Sequence, residues 1–152
     1  MPGFSKNITC ILAVGFVATS LAACTITGDY FTPTASMDAA KLDRLTGDAV
    51  AADMVARLAE HVGPGTGTIA LKLDNSTFAA SLEKQLRHWG YAVDPDVTDA
   101  SSIALAYMVD TADGQILARL STPSVELTRI YSTSTGITVP ASPVSVMRRS
   151  ES

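Results

Sequence analysis

The chain has 152 residues, 47% of them hydrophobic, with eleven Lys and Arg against fifteen Asp and Glu and a formal net charge of −4. That length suits one domain with one core. The weakly acidic balance argues against direct nucleic-acid binding, and two cysteines, Cys10 and Cys24, are too few for a disulfide scaffold.

Residues 1–7 hold one cation, Lys6, and the stretch from Ile8 to Ser20 carries no charge. An uncharged run of that length is a signal-peptide core and is short for a membrane-spanning helix. It ends in Leu21-Ala22-Ala23-Cys24, which matches the bacterial lipobox. In that pattern the signal is cut between Ala23 and Cys24, the Cys24 sulfur receives a diacylglyceryl group, and the new amino terminus is acylated. Several acyl chains hold a protein on a membrane far more firmly than one. Residues 1–23 are therefore expected to be a lipoprotein signal peptide. Cys10 leaves with it and Cys24 is consumed, so no thiol remains for a disulfide, a metal or a nucleophile. Thr25 stands where aspartate retains many lipoproteins in the inner membrane of enteric bacteria, so the outer membrane, facing the periplasm, is the expected location.

Residues 24–46 are expected to be a lipidated terminus and flexible tether, rich in Thr, Ser, Gly and Pro with little apolar periodicity. Lys41, Leu42 and Leu45 could open a short helix. Residues 47–152 form the expected domain. Asp48 is the predicted N-cap of a first helix, in which Val50, Met54, Leu58 and Val62 recur every four residues. Gly63-Pro64-Gly65 stops it. A strand follows, with Ile69, Leu71 and Leu73 on its buried face. Ser76 or Asn75 caps a second helix, whose apolar stripe is Phe78, Leu82, Leu86 and Trp89. Gly90 suits the left-handed position just past its end, and Tyr91-Ala92-Val93 extends into a short strand.

From Ser101 the period changes to two. Ile103, Leu105, Tyr107 and Val109 fall on one side of a strand, and Asp113-Gly114 signals a hairpin. Residues 115–121 and 125–131 supply two further strands. A turn at Thr135-Gly136 leads to a last pair broken by Pro140 and Pro143. The order predicts an α+β domain with helices packed on one face of a mostly antiparallel sheet.

Chemistry-bearing motifs are sparse. His61 and His88 each stand near a predicted helix end, where a cation suits the helix dipole, and their spacing offers no transition-metal site. Asp94, Asp96 and Asp99 lack the glycine and closing glutamate of a calcium loop and read as a solvated turn. The glycine-rich stretch at 63–68 runs from helix to strand, the reverse of a phosphate loop, and no Gly-x-Ser-x-Gly is present. No enzyme, cofactor or metal is expected. Trp89 and Tyr91 are either core residues or a partner pocket. Arg119, Arg129, Arg148 and Arg149 either protect a sheet edge or pair with an acidic partner. The broken terminal strands leave an edge that another chain could extend.

Taken with LAAC at 21–24, the segments FAASLEKQLRHWGYAV at 78–93, SIALAYMV at 102–109 and ARLSTPSVELTRIYSTSTGITVPASPVSVMRR at 118–149 resemble the TrbH family. These are small lipoproteins encoded with mating-pair-formation genes of conjugative plasmids. The resemblance implies an accessory or structural subunit of a type IV secretion apparatus. Its partners would be other channel subunits and, through acyl chains on Cys24, the membrane. The resemblance carries no site residue besides Cys24. Two rival readings remain. One is an envelope lipoprotein that binds or regulates cell-wall components. The other is a lipid-anchored hydrolase built on Ser with His61 or His88 and an Asp.

Overall fold

A computed structural model describes residues 35–149. The expected signal peptide and the Leu-Ala-Ala-Cys motif, including Ala23 and Cys24, lie outside the described residues.

The first element among the described residues is β1, Met37–Asp38, which pairs in parallel with Met108 and Val109 of β4, Ile103–Ala112. Met37 and Asp38, within the stretch expected as tether, therefore pair with the sheet. Helix α1 spans Arg44–Val62 and is capped by Asp43, not Asp48. The Asp43 carboxylate accepts from the Thr46 backbone N–H at 2.9 Å, and its carbonyl accepts the first helical bond from Gly47 at 2.8 Å. Asp48 could not cap because the helix is already under way there. Gly47 sits inside α1, where a Cβ would meet Ser81 Oγ and Phe78 of the second helix. It marks a close helix–helix approach rather than a helix start.

Strand β2, Thr68–Leu71, is shorter than its alternation suggested. It ends before Leu73, which is exposed rather than buried. Helix α2, Thr77–His88, is capped by Ser76, whose side chain accepts from the Ala79 N–H at 3.1 Å. Its C-terminus closes with two bonds, Gly90 N–H to the Arg87 carbonyl and Tyr91 N–H to the Leu86 carbonyl. With Gly90 at φ 93° this is a Schellman ending. The chain then enters β3, Ala92–Val93, beside β2.

The remaining strands form a meander: β4, β5 (Gln115–Ser121), β6 (Val125–Ser134), β7 (Ile137–Pro140) and β8 (Ser145–Arg148). The main order is β3-β2-β4-β5-β6-β7, with β8 also on β6. The pairs from β4 onward are antiparallel, while β2 runs parallel to both β3 and β4. Asp113-Gly114 and Thr135-Gly136 all have positive φ, as two-residue hairpin turns of the right twist require. Strands β7 and β8 lie along successive stretches of the same β6 edge, separated by the Pro-bearing excursion at 141–144.

Both helices cover one face, giving the α+β architecture expected. Leu105, Tyr107 and Val109 of β4, Ala118 and Leu120 of β5, and Leu127 and Tyr131 of β6 are buried there against Val50, Met54, Leu58, Phe78, Leu82 and Leu86. The Phe78 and Tyr107 rings meet edge to face with centroids 5.1 Å apart.

The connector from α1 to β2 packs backbone to backbone on the end of α2. A Cβ at Gly65 would lie 2.7 Å from the Trp89 carbonyl oxygen, and Gly65 has φ 55°. Gly65→Ala is therefore expected to cost about 2 kcal/mol from steric conflict and left-handed strain. Gly114→Ala, also at positive φ but with open space around the new methyl group, should cost less. Urea unfolding of the two variants measures the difference.

Candidate functional site

Two polar clusters tie the layers together. In the first, Asp53 on α1 receives two bonds from Arg129 Nη1, at 3.0 and 2.7 Å, and one from the Tyr131 hydroxyl at 2.7 Å. Arg129 also donates to the Ser142 carbonyl at 2.9 Å, fixing the excursion between β7 and β8. Burial, with the adjacent Asp53 carboxylate, pushes the Tyr131 hydroxyl far up, so it stays a donor.

In the second cluster, the Tyr107 hydroxyl donates to Asp74 Oδ1 and also meets Ser76 Oγ at 3.2 Å. Asp74 further accepts from the backbone N–H groups of Asp38, at 2.7 Å, and Ser76, at 3.0 Å. β1 is thereby pinned to the head of α2. Desolvation works to raise the Asp74 carboxyl, but the bonds from Ser76, Tyr107 and Asp38 outweigh it and hold the group below 3.8. Asp38 shifts the other way, raised chiefly by desolvation despite the bonds from Lys41 and Leu42.

The sign for Asp74 follows from linkage. A carboxyl depressed in the fold stabilises it above its unfolded value and loses that contribution as pH falls through the folded value. Asp38, raised in the fold, opposes this over the range above 3.8. Asp74→Asn should therefore lower stability at neutral pH and flatten its decline below about pH 4, as read from urea midpoints across pH.

The first cluster pairs its carboxylate with Arg129. The second, among the described residues, holds Asp38 and Asp74 by hydrogen bonds alone, and Asp38 and Ser76 line a shallow cavity with Lys41 and Thr77. Among the described residues no group of three or more His, Cys, Asp or Glu could hold a metal ion. His61 and His88 stand in the last turns of α1 and α2. His61 Nδ1 lies 3.1 Å from Arg148 Nη2, which makes it an acceptor there. Asp94 and Asp99 accept from the N–H groups two residues on, Asp96 and Ser101, each at 3.0 Å, as turn residues do.

The structure separates the four residues expected to meet a partner. Trp89 does not continue the core stripe. The helix ends at His88, and Trp89, as C-cap, is 38% exposed. Tyr91 takes the core place instead. It is 3% exposed and its hydroxyl donates to the Gly63 carbonyl, so it presents nothing to a partner. Arg129 is committed to Asp53 and its side chain is 15% exposed. Arg119 lies on the opposite face of the sheet, beside Glu126 at 3.5 Å. Arg149 donates to Glu126 on that face at 3.2 Å and to the Thr122 carbonyl at 3.1 Å.

That opposite face is the feature the sequence reading missed. Register places Met37, Met108, Leu117, Ile130, Ile137, Val139 and Met147 on it, together with Asp110, Gln115, Arg119 and Glu126. No described helix covers it. Met37, Ile137, Val139 and Met147 are 45–63% exposed. The signal was available: on each long strand the residues between the buried ones are Met108, Leu117 and Ile130 rather than uniformly polar. A solvated outer face would read as charged.

The family model described as "Conjugal transfer protein TrbH" matches residues 27–150. Among curated proteins, "Probable conjugal transfer protein TrbH" of Sinorhizobium fredii is 47% identical over 108 residues, covering 66% of this chain and 73% of the relative. No solved structure matches.

Proposed function

Because the chain belongs to the TrbH family of conjugal transfer proteins, we propose that it is a lipid-anchored accessory subunit of a conjugative type IV secretion apparatus. The observation that carries this reading is the family match over residues 27–150 with Leu-Ala-Ala-Cys standing directly before it, at residues 21–24. Signal cleavage after Ala23 and acylation of Cys24 fix the protein to the outer membrane, and the domain faces the periplasm. It acts by contact rather than catalysis. The two partly buried polar clusters stitch the fold, leaving surface as the working part of the molecule. The subunit docks along the β7–β8 edge, where two short strands of exposed residues, broken by Pro140 and Pro143, offer a place for strand addition. Arg129, through its bond to the Ser142 carbonyl, holds that edge in shape.

The test compares the tagged wild-type protein with Cys24→Ser in a cell that carries the transfer genes. Wild type should fractionate with membranes and bring down channel subunits, identified by mass spectrometry. Cys24→Ser should stay unprocessed, lose those partners and lower transfer frequency by at least about tenfold. Recovery of cell-wall enzymes alone would favour the rival envelope-binding reading and overturn the conjugative one.

A further inference from the structure

We propose that the open face of the sheet rests on the bilayer in which Cys24 is anchored, so that lipid rather than protein covers its methionines. This rests on Cys24 being acylated.

The first argument is where the chain arrives. Met37 is the first strand residue among those described, and it pairs with Met108 on the open face. Only twelve residues, 25–36, separate it from Cys24. Fully extended they reach about 45 Å at most, so an anchored chain keeps the bilayer within that distance of this face at all times. A short link makes a second contact effectively intramolecular, and a weak surface suffices.

The second argument is size. Five strand positions side by side about 4.8 Å apart, the last shared by β7 and β8 end to end and each about seven residues long, make a face of at most about 570 Å². A standard complex buries about 800 Å² on each partner. The face is therefore small for a freely diffusing protein and adequate for a surface the anchor already supplies.

The third argument is chemistry. Met37, Ile137, Val139 and Met147 protrude from the face, half or more exposed in three of the four cases. Flexible methionines and compact Ile and Val side chains enter the acyl boundary without needing a shaped pocket. Arg119 has an aliphatic stem to lie along the apolar surface and a guanidinium to meet phosphate. Its side chain is 40% exposed. Ser121, Thr128, Ser132 and Ser134 lie on the same face by register and suit headgroups. This placement leaves the helical layer and the β7–β8 backbone edge free for a subunit.

The experiment uses the full mature lipoprotein. With Cys10 removed and Cys24 acylated, an engineered cysteine is its sole thiol. A polarity-sensitive dye is placed on Val139→Cys, on Met147→Cys, or on Leu45→Cys, an exposed position on α1. Each protein is put into vesicles of phosphatidylethanolamine and phosphatidylglycerol carrying a spin-labelled lipid. Intact mass first establishes the acyl chains. A mass without them overturns the anchor, and this inference with it. Given acylation, the dyes at 139 and 147 should be quenched at least about twofold more than the dye at 45. Equal quenching at the three positions overturns the inference and leaves the anchor standing. Cross-linking of Val139→Cys in cells to a second copy or a channel subunit overturns it equally, by giving the face a protein occupant.

Discussion

Phe78→Ala is expected to destabilise the domain by about 4 kcal/mol. Phe78 is completely buried in α2 and makes the edge-to-face contact with Tyr107 at 5.1 Å. Its removal subtracts the transfer energy of a large ring and leaves a cavity between the helices and β4. The neighbours cannot collapse into it. Tyr107 is held by Asp74 and Ser76, and α1 is already close at Gly47. Small domains are stable by only about 5–15 kcal/mol, so the variant sits near the threshold of folding. Phe78→Leu, which keeps most of the volume, should cost about 1 to 1.5 kcal/mol and provides a folded comparison. Urea midpoints of the two variants at constant slope measure both values, and a cost below about 1 kcal/mol for alanine would contradict the packing described.

Arg129→Ala should have the next largest effect, about 2 kcal/mol. A fully buried pair broken on one side costs about 3–5 kcal/mol and an exposed pair under about 1. With side chains 15% and 22% exposed, Arg129 and Asp53 fall between. Loss of the guanidinium strips Asp53 of its nearest cation and two bonds, though the Tyr131 hydroxyl and the more distant Arg57 remain near it. It also frees the Ser142 carbonyl, so the second consequence is local: amide exchange should rise at β7 and β8 more than in β4. Arg129→Lys keeps the charge but not the fork, and it should recover less than half of the loss. A uniform change in exchange across the sheet would contradict the role given to the Ser142 bond.

The fold was legible where one local signal dominated. Period-four apolar spacing placed α1 and α2, period-two spacing placed β4, β5 and β6, and the dipeptides Asp113-Gly114 and Thr135-Gly136 placed the hairpins. It was not legible where distant residues decide. Gly47 reads as a helix boundary in sequence, yet lies within α1, which Asp43 caps, and its lack of a side chain suits the approach of Ser81 and Phe78 of α2. Trp89 fits a helical stripe on paper, but the Schellman ending at Gly90 turns the chain and hands the core position to Tyr91. β1 has two strand residues and no periodicity, and it is fixed by distant partners, by pairing with Met108 and Val109 and by the Asp38 N–H bond to Asp74.

The candidate interaction residues show the same limit. Arg119, Arg129, Arg148 and Arg149 look alike in sequence. In the fold Arg129 joins β6 to α1, Arg148 meets His61 at the end of α1, and Arg119 and Arg149 share Glu126 on the open face. Charge type alone does not separate an internal tie from a surface contact, because both use the same guanidinium geometry. The open face went unread because methionine and isoleucine between buried positions add little to a periodicity count.

The central claim, that this is a lipid-anchored subunit, turns on Cys24. The most direct measurement is the intact mass of the mature protein extracted from membranes, with fragmentation of its amino terminus. The account predicts a chain that starts at Cys24, with diacylglyceryl on the sulfur and an acyl group on the amine. A chain that keeps residues 1–23, or one cut elsewhere and without lipid, would contradict it.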